Sequence, residues 1–262
     1  MDRLFIYPGQ GMICVGGCLS EEREGPLVLM YHRIGRPARQ SPVSGQYVTP
    51  ETFARHMGML SRAGMQVAPL RAIAQHIRGQ VCLPARRLAI TFDDGFANLY
   101  TNAFPVLCQY AYPATVFLVS SFIGQMNTYH PSDQDLYEPM LNVLQIREMM
   151  DQGVEFGSHT RRHARLTECS PEDLLDQVAG SRQDLQQLLC CDVTSFCYPY
   201  GAQNDVIRQV VMGAGYDLAC STLKGRNHAG ADPYRIRRIN VRADTSLPIF
   251  YYKLVRARLF DR

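Results

Sequence analysis

Short apolar runs alternate along this chain with stretches patterned for amphipathic helices, and that alternation restricts the fold more than any other feature. The runs lie at residues 27–31, 88–92, 114–119, 154–157, 195–198, 217–220 and 236–241. Each is too short for a helix and reads as a buried strand. Between them, Thr49 and Pro50 open a helix in which Phe53, Met57 and Leu60 recur at helical spacing. A helix over 146–152 closes at Gly153. Ser170-Pro171-Glu172-Asp173 resembles a capping box and opens a long amphipathic helix with Leu174, Leu175, Val178, Leu185, Leu188 and Leu189 on one side. Residues 206–214 form a helix ended by Gly215, and 249–258 form the last. The polar stretch 121–139 reads as a loop over one end. Such alternation predicts a parallel sheet covered by helices, and about seven units favour a barrel over an open sheet. In barrels of this kind the chemistry sits just past the strands.

A length of 262 residues suits one such barrel, and 46% apolar with 19% charged residues excludes a disordered chain. Residues 1–26 end in Glu21-Glu22-Arg23-Glu24 and Gly-Pro, and read as a loosely packed N-terminal leader. The catalytic domain is expected over 27–262. The Gly-rich segment 12–19, preceded by Asp2, Arg3 and Pro8, is a poor signal-peptide pattern. No apolar run reaches the ~18 residues of a transmembrane helix. A net charge of +3 gives no reason to expect nucleic acid or an anionic membrane as partner. All but Lys224 and Lys253 of the 27 basic residues are arginine, which stays charged when buried and binds carboxylates in two-point fashion. Nine cysteines, an odd number with the adjacent pair Cys190-Cys191 and no CxxC, suit neither a disulfide framework nor a thiolate zinc site. Reduced thiols and the lack of a signal pattern favour the cytoplasm, with the periplasm or cell envelope as the alternative.

Four run ends carry chemistry. After 88–92 stand Asp93, Asp94 and Gly95. Adjacent carboxylates at the end of a buried strand repel each other unless a metal, an arginine or a shared proton compensates them. After 154–157 comes Ser158-His159-Thr160-Arg161-Arg162-His163. Histidines at i and i+4 on a helix or turn can converge on one ion, and Asp94 is the obvious third donor. The segment Phe196-Cys197-Tyr198-Pro199-Tyr200-Gly201 fixes its backbone with Pro and Gly, so that the Tyr200 N–H can serve as an oxyanion donor. His32, in Met30-Tyr31-His32-Arg33-Ile34, is placed to protonate a leaving group, with a structural core histidine as the competing reading.

These four segments, in this order, resemble the polysaccharide deacetylase family (carbohydrate esterase family four, the NodB-homology domain), and the early YHRI segment resembles its poly-N-acetylglucosamine deacetylase branch. The resemblance covers about residues 27–245. It implies an α/β fold, a distorted (β/α)7-type barrel of parallel strands wrapped by helices. It also implies Asp93 as base, Asp94, His159 and His163 as ligands of one divalent metal, and Tyr200 as oxyanion donor. Members often carry a late Leu-x-His acid, which is absent near the end of this chain; in the YHRI branch the histidine comes early instead, and the resemblance implies His32 as the acid candidate. Members also often carry an arginine in the third motif that pairs with the base, where this chain has Cys197 or Tyr198. Arg238 is the expected substitute and Arg237 the alternative, because alternation along a strand turns only one of them inward. The groove tryptophan of many members is absent too, leaving Tyr112, Tyr129, Tyr137, Phe122 and His130 as possible substrate contacts.

The function so implied is metal-dependent removal of N-acetyl groups from N-acetylglucosamine-type units of a polysaccharide or its precursor. Zinc is the expected ion, with cobalt, nickel or manganese compatible with the same donors. An O-acetyl esterase, a sugar deformylase and a non-catalytic carbohydrate-binding protein are the alternatives.

Overall fold

In the computed structural model, residues 25–37, 41, 43–84, 86–129 and 137–259 are described. The leader expected over 1–26 lies outside them except for Gly25 and Pro26, and so does His130. The chain enters through β1 (Leu27–Tyr31), followed by a separate short parallel pair, β2 (Arg33–Ile34) and β3 (Tyr47–Val48). Then come α1 (Pro50–Arg62), β4 (Gln66–Val67), α2 (Leu70–Ile77), β5 (Arg87–Phe92), α3 (Phe104–Gln109), β6 (Thr115–Leu118) and α4 (Val143–Asp151). The rest is β7 (Glu155–Ser158), α5 (Pro171–Leu175), α6 (Ser181–Leu189), β8 (Ser195–Cys197), α7 (Asp205–Gly213), β9 (Leu218–Cys220), β10 (Ile239–Asn240) and α8 (Leu247–Leu259).

The main sheet runs β10-β1-β5-β6-β7-β8-β9 with every pairing parallel, and β4 pairs with the start of β5. Ile236 bridges in parallel to Cys220 of β9, and three residues later β10 pairs with β1. One segment thus joins the two edges, and the sheet curls into the expected distorted barrel. The β4 strand was not anticipated; two residues carry no legible period.

Alternation along the strands sorts the core. Leu27, Leu29 and Tyr31 of β1 and Leu88, Ile90 and Phe92 of β5 pack outward, in one cluster with Phe53 and Met57 of α1. Val28, Ala89, Phe117, Cys197, Cys220 and Ile236 pack together in a second cluster, which α2 covers with Leu70, Ile73, Ala74 and Ile77. The same parity turns His32, Thr91, Asp93 and Arg238 toward the inside.

Helix starts follow local chemistry. Thr49 accepts the Thr52 N–H ahead of Pro50, and Ser170 accepts the Asp173 N–H ahead of Pro171. Helix α4 begins before the 146 read from sequence, because Asn142 and Gln145 form a reciprocal capping box. The long helix is α5 and α6 joined through a π turn, Asp176–Gly180. Leu174, Val178, Leu185 and Leu189 are buried, but Leu175 is 54% exposed and Leu188 only partly covered. The sequence reading put all six on one side. Adjacent residues point about 100° apart on a helix, so Leu175 is turned well away from the direction that Leu174 buries.

Candidate functional site

Asp93 stands at the mouth of the barrel, buried to 3% exposure. Arg238 grips it with two parallel bonds, Nη1 donating to Oδ1 at 2.6 Å and Nη2 to Oδ2 at 2.9 Å. Arg238 is itself fully buried and held from three further sides. Its Nε donates to the Ser221 carbonyl at 2.9 Å, Nη1 to Thr91 Oγ1 at 3.2 Å and Nη2 to Cys197 Sγ at 3.1 Å. The Thr91 hydroxyl in turn donates to the Leu29 carbonyl at 2.7 Å. Arg237 is exposed and donates to the Lys224 carbonyl. Of the two arginines, then, it is Arg238 that meets Asp93. Burial pushes the Asp93 carboxyl up, but the charge and bonds of Arg238 outweigh it, and the group lies below the usual carboxylate range. His32 follows β1 with Nε2 4.0 Å from Asp93 Oδ2. Burial lowers its pKa more than Asp93 and Asp94 raise it, so the ring leans toward neutrality.

Asp94 turns the other way, at φ +73°. Its Oδ1 lies 3.4 Å from His159 Nε2 and 3.3 Å from His163 Nε2. One donor atom from each of these buried side chains falls within 4.8 Å of the others. The His159 Nδ1–H donates to the Cys197 carbonyl at 2.8 Å, which fixes Nδ1 as the donor and turns Nε2 toward Asp94. His163 Nδ1 lies 3.2 Å from the Tyr200 hydroxyl. Two imidazole nitrogens and one carboxylate oxygen suit a divalent ion. Asp93, His159 and Cys197 also approach one another within 4.8 Å. Asp93 and Cys197 both accept from Arg238, however, and that fixed charge repels a cation. The first trio is therefore the candidate metal site.

The two histidines converge through a loop rather than a helix, with Thr160 at φ +68° and His163 at φ +56°. The intervening arginines pin it: Arg161 bonds Asp184 and Asp176, and Arg162 bonds Asp173 and Asp176. Asp94 and Tyr200 (φ +60°) are also in the left-handed region. Such backbone costs of order 1 kcal/mol per residue, and it collects where function dictates geometry. Gly95, at φ +86°, completes the turn after Asp94; a Cβ there would stand 2.6 Å from Leu118 Cδ2.

Past β8, Pro199–Gly201 forms a tight turn that carries Tyr200 to the rim, 44% exposed, under the guanidinium of Arg165. A cleft of about 310 Å³ is lined by His32, Asp93, Asp94, His159, His163 and Tyr200. Every site residue read from the sequence thus borders one cavity, except Arg238, which lies behind Asp93. Tyr129 packs against His163, with ring centroids 4.7 Å apart, and Phe122 packs edge-on against Tyr129. Tyr112 instead stacks on Tyr110, and Tyr137 is exposed.

Residues 80–219, just over half of the chain, match the family model for polysaccharide deacetylase. The chain belongs to the polysaccharide deacetylase family. This deacetylase is 26% identical to the poly-beta-1,6-N-acetyl-D-glucosamine N-deacetylase of Staphylococcus epidermidis over 86% of its own length and 82% of the relative's. The Staphylococcus aureus protein of the same name is 28% identical with the same coverage. Among solved structures, the Streptococcus pyogenes deacetylase PplD superposes with a TM-score of 0.76, covering 88% of this chain and 98% of that one at 21% identity. IcaB from Ammonifex degensii gives 0.75, covering 88% and 97% at 23% identity. At such identity the agreement is one of fold.

Reading strand ends missed Thr91, Cys197 and Ser221, which orient Arg238, and Tyr198, Thr222, Asn240 and Arg242, which line the cleft. Thr91 was findable, since it shares the parity of Asp93. Asn240 and Arg242 were findable too, at even steps beyond Arg238.

Proposed function

We propose that this deacetylase removes N-acetyl groups from N-acetylglucosamine-type units of a polysaccharide or its precursor, with one divalent ion at Asp94, His159 and His163. Zinc is our first assignment and cobalt, nickel or manganese the alternatives. The observation that carries the reading is the division of labour between adjacent carboxylates. Asp93 is held ionised by Arg238, while Asp94 faces two imidazoles whose Nε2 atoms converge with its Oδ1 on one small space. The activities named for the Staphylococcus relatives support the choice of substrate.

When bound, a divalent ion there would polarise the acetyl carbonyl and make a nearby water more acidic. Asp93 accepts the proton of the attacking water, and the grip of Arg238 keeps its carboxylate aimed and charged. The Tyr200 N–H is assigned to the developing oxyanion. His32, whose Nε2 lies 4.0 Å from Asp93 Oδ2, takes up that proton and delivers it to the departing nitrogen, so that amide and water become acetate and a free amine. An amine leaves less readily than an alcohol, which is why an acid on this side favours amide over ester substrates. We also assign the chain to the cytoplasm, with the periplasm or cell envelope as the alternative, on the support of exposed cysteines such as Cys108, Cys190 and Cys191 that are not in disulfides.

The test is acetate release from an N-acetylglucosamine oligomer by zinc-reconstituted protein, beside Asp93→Asn with its metal content measured. Release that vanishes in the variant while the ion is retained supports the reading. A metal-loaded wild type that releases nothing sinks it and directs attention to O-acetyl and N-formyl sugars.

A further inference from the structure

We propose that a basic trough beside the cleft binds a phosphate or diphosphate group carried by the sugar substrate. The inference deepens the deacetylase reading and rests on it for the orientation of that substrate.

The trough is a second cavity, about 590 Å³, between the end of β10, the loop after β9 and helix α8. It shares Asn240 and Arg242 with the cleft, so the two are compartments on either side of one wall. Four cationic side chains line it, Lys224, Arg242, Lys253 and Arg256, against a single carboxylate, Asp244. Both lysines of the chain are among them. Among the described residues, Lys224, Arg242 and Arg256 have no ion-pair partner within 4.0 Å. Lys253 spends two donors on the Asn240 carbonyl at 2.8 Å and Thr245 Oγ1 at 2.9 Å, which fixes its ammonium at the wall. Burial depresses its pKa; Asp244 opposes that, and Lys224 and Arg242 add to it. The Arg242 guanidinium lies against Gly45, where any Cβ would collide with it.

A neutral glycan offers these cations hydroxyl acceptors but no charge to balance them, and a lone carboxylate would leave most of them uncompensated. Clustered arginine and lysine match the several oxygens and the multiple charge of a phosphate. The wall between the compartments supplies a further hint. Asn240 Oδ1 is buried without a hydrogen-bond partner among the described residues, and a sugar hydroxyl spanning from cleft to trough would satisfy it. Ile249 and Tyr252 at the outer edge are exposed, so whatever lies beyond the phosphate has an apolar shelf to rest on.

The test begins without metal, so that chelation cannot intervene. Inorganic pyrophosphate is titrated calorimetrically into chelator-treated wild type and into Lys224→Gln/Arg256→Gln, two exposed positions outside the cleft. Binding that weakens by about tenfold or more in the variant, and with added salt, is expected. Absent binding, or equal binding by both proteins, overturns the proposal. Zinc-loaded enzyme is then given a neutral N-acetylglucosamine oligomer, a nucleoside-diphosphate-linked N-acetylglucosamine and a short polyprenyl-diphosphate-linked one. The proposal requires a lower KM for at least one charged substrate, lost in the double variant while turnover of the neutral oligomer is unchanged. Whichever charged substrate gains identifies the source of the phosphate. No gain for either refutes the trough but leaves the deacetylase reading intact. Pyrophosphate binding with no deacetylation of any substrate refutes the deacetylase reading instead.

Discussion

Arg238 and Asp93 form a two-point ion pair inside the barrel, at 2.6 and 2.9 Å, with the arginine fully buried and the carboxylate nearly so. They are separated by 145 residues in the chain. The pair sets a positive charge against one of two adjacent carboxylates and not the other, the asymmetry on which the proposed roles of base and metal ligand rest.

Removing one partner strands the other as a buried charge. Arg238→Ala is expected to lose about 3–5 kcal/mol of stability. Urea denaturation measures that loss. Arg238→Lys, which keeps the charge but not the fork, should recover part of the stability and little of the activity. Full activity in Arg238→Lys would show that charge alone matters.

Tyr200 supports His163 through its hydroxyl, at 3.2 Å from Nδ1. Tyr200→Phe should weaken metal binding by roughly tenfold, the usual scale for a group behind a ligand, and Asp94→Ala by considerably more. Competition against a chromogenic chelator reads both. Equal affinities in wild type and Tyr200→Phe would leave the hydroxyl without a part in holding the ion.

His32 is assigned to the leaving group, so its importance should track how much that group needs a proton. His32→Ala should lower turnover of an N-acetyl amide by about 10²–10⁴-fold. Hydrolysis of 4-nitrophenyl acetate, whose phenolate departs unaided, should barely change. Equal losses on the two substrates would assign His32 to positioning Asp93 instead.

His56 sits in the core, where the Tyr31 hydroxyl donates to Nδ1, Nε2 donates to the Thr245 carbonyl, and the ring stacks on Phe250. Burial pushes its pKa down to about 4. Between about 6.5 and 4 the unfolded chain binds this proton and the folded one does not. Stability therefore falls as pH drops through that window, by on the order of 3 kcal/mol. Urea midpoints at pH 7 and 4.5 should show the loss, and His56→Phe should flatten that part of the profile. An unchanged slope in His56→Phe would mean other groups dominate acid unfolding.

Much of this was written in the sequence because its physics is local. Short apolar runs alternating with capped amphipathic stretches dictate parallel strands and crossover helices, and period-two parity turns Asp93 and His32 inward. The Asp pair and the spaced histidines declare their chemistry because such groups cannot be buried without partners. Alternation turns only one of Arg237 and Arg238 inward, but Ile236 and Ile239 stand on opposite parities, so the sequence pattern does not say which.

Only the folded chain decides the rest. The Cys197 carbonyl fixes the His159 tautomer, the Tyr200 hydroxyl reaches His163, and Thr91, Ser221 and Cys197 aim one guanidinium. These contacts join residues far apart in the chain: the first two need β7 paired with β8, and those of Arg238 need the sheet curled far enough to bring β10 beside β1. The basic trough is invisible in the sequence for the same reason. Its cations come from the loop after β9, the segment beyond β10 and helix α8, and it is closure of the sheet that gathers them on one side of the cleft.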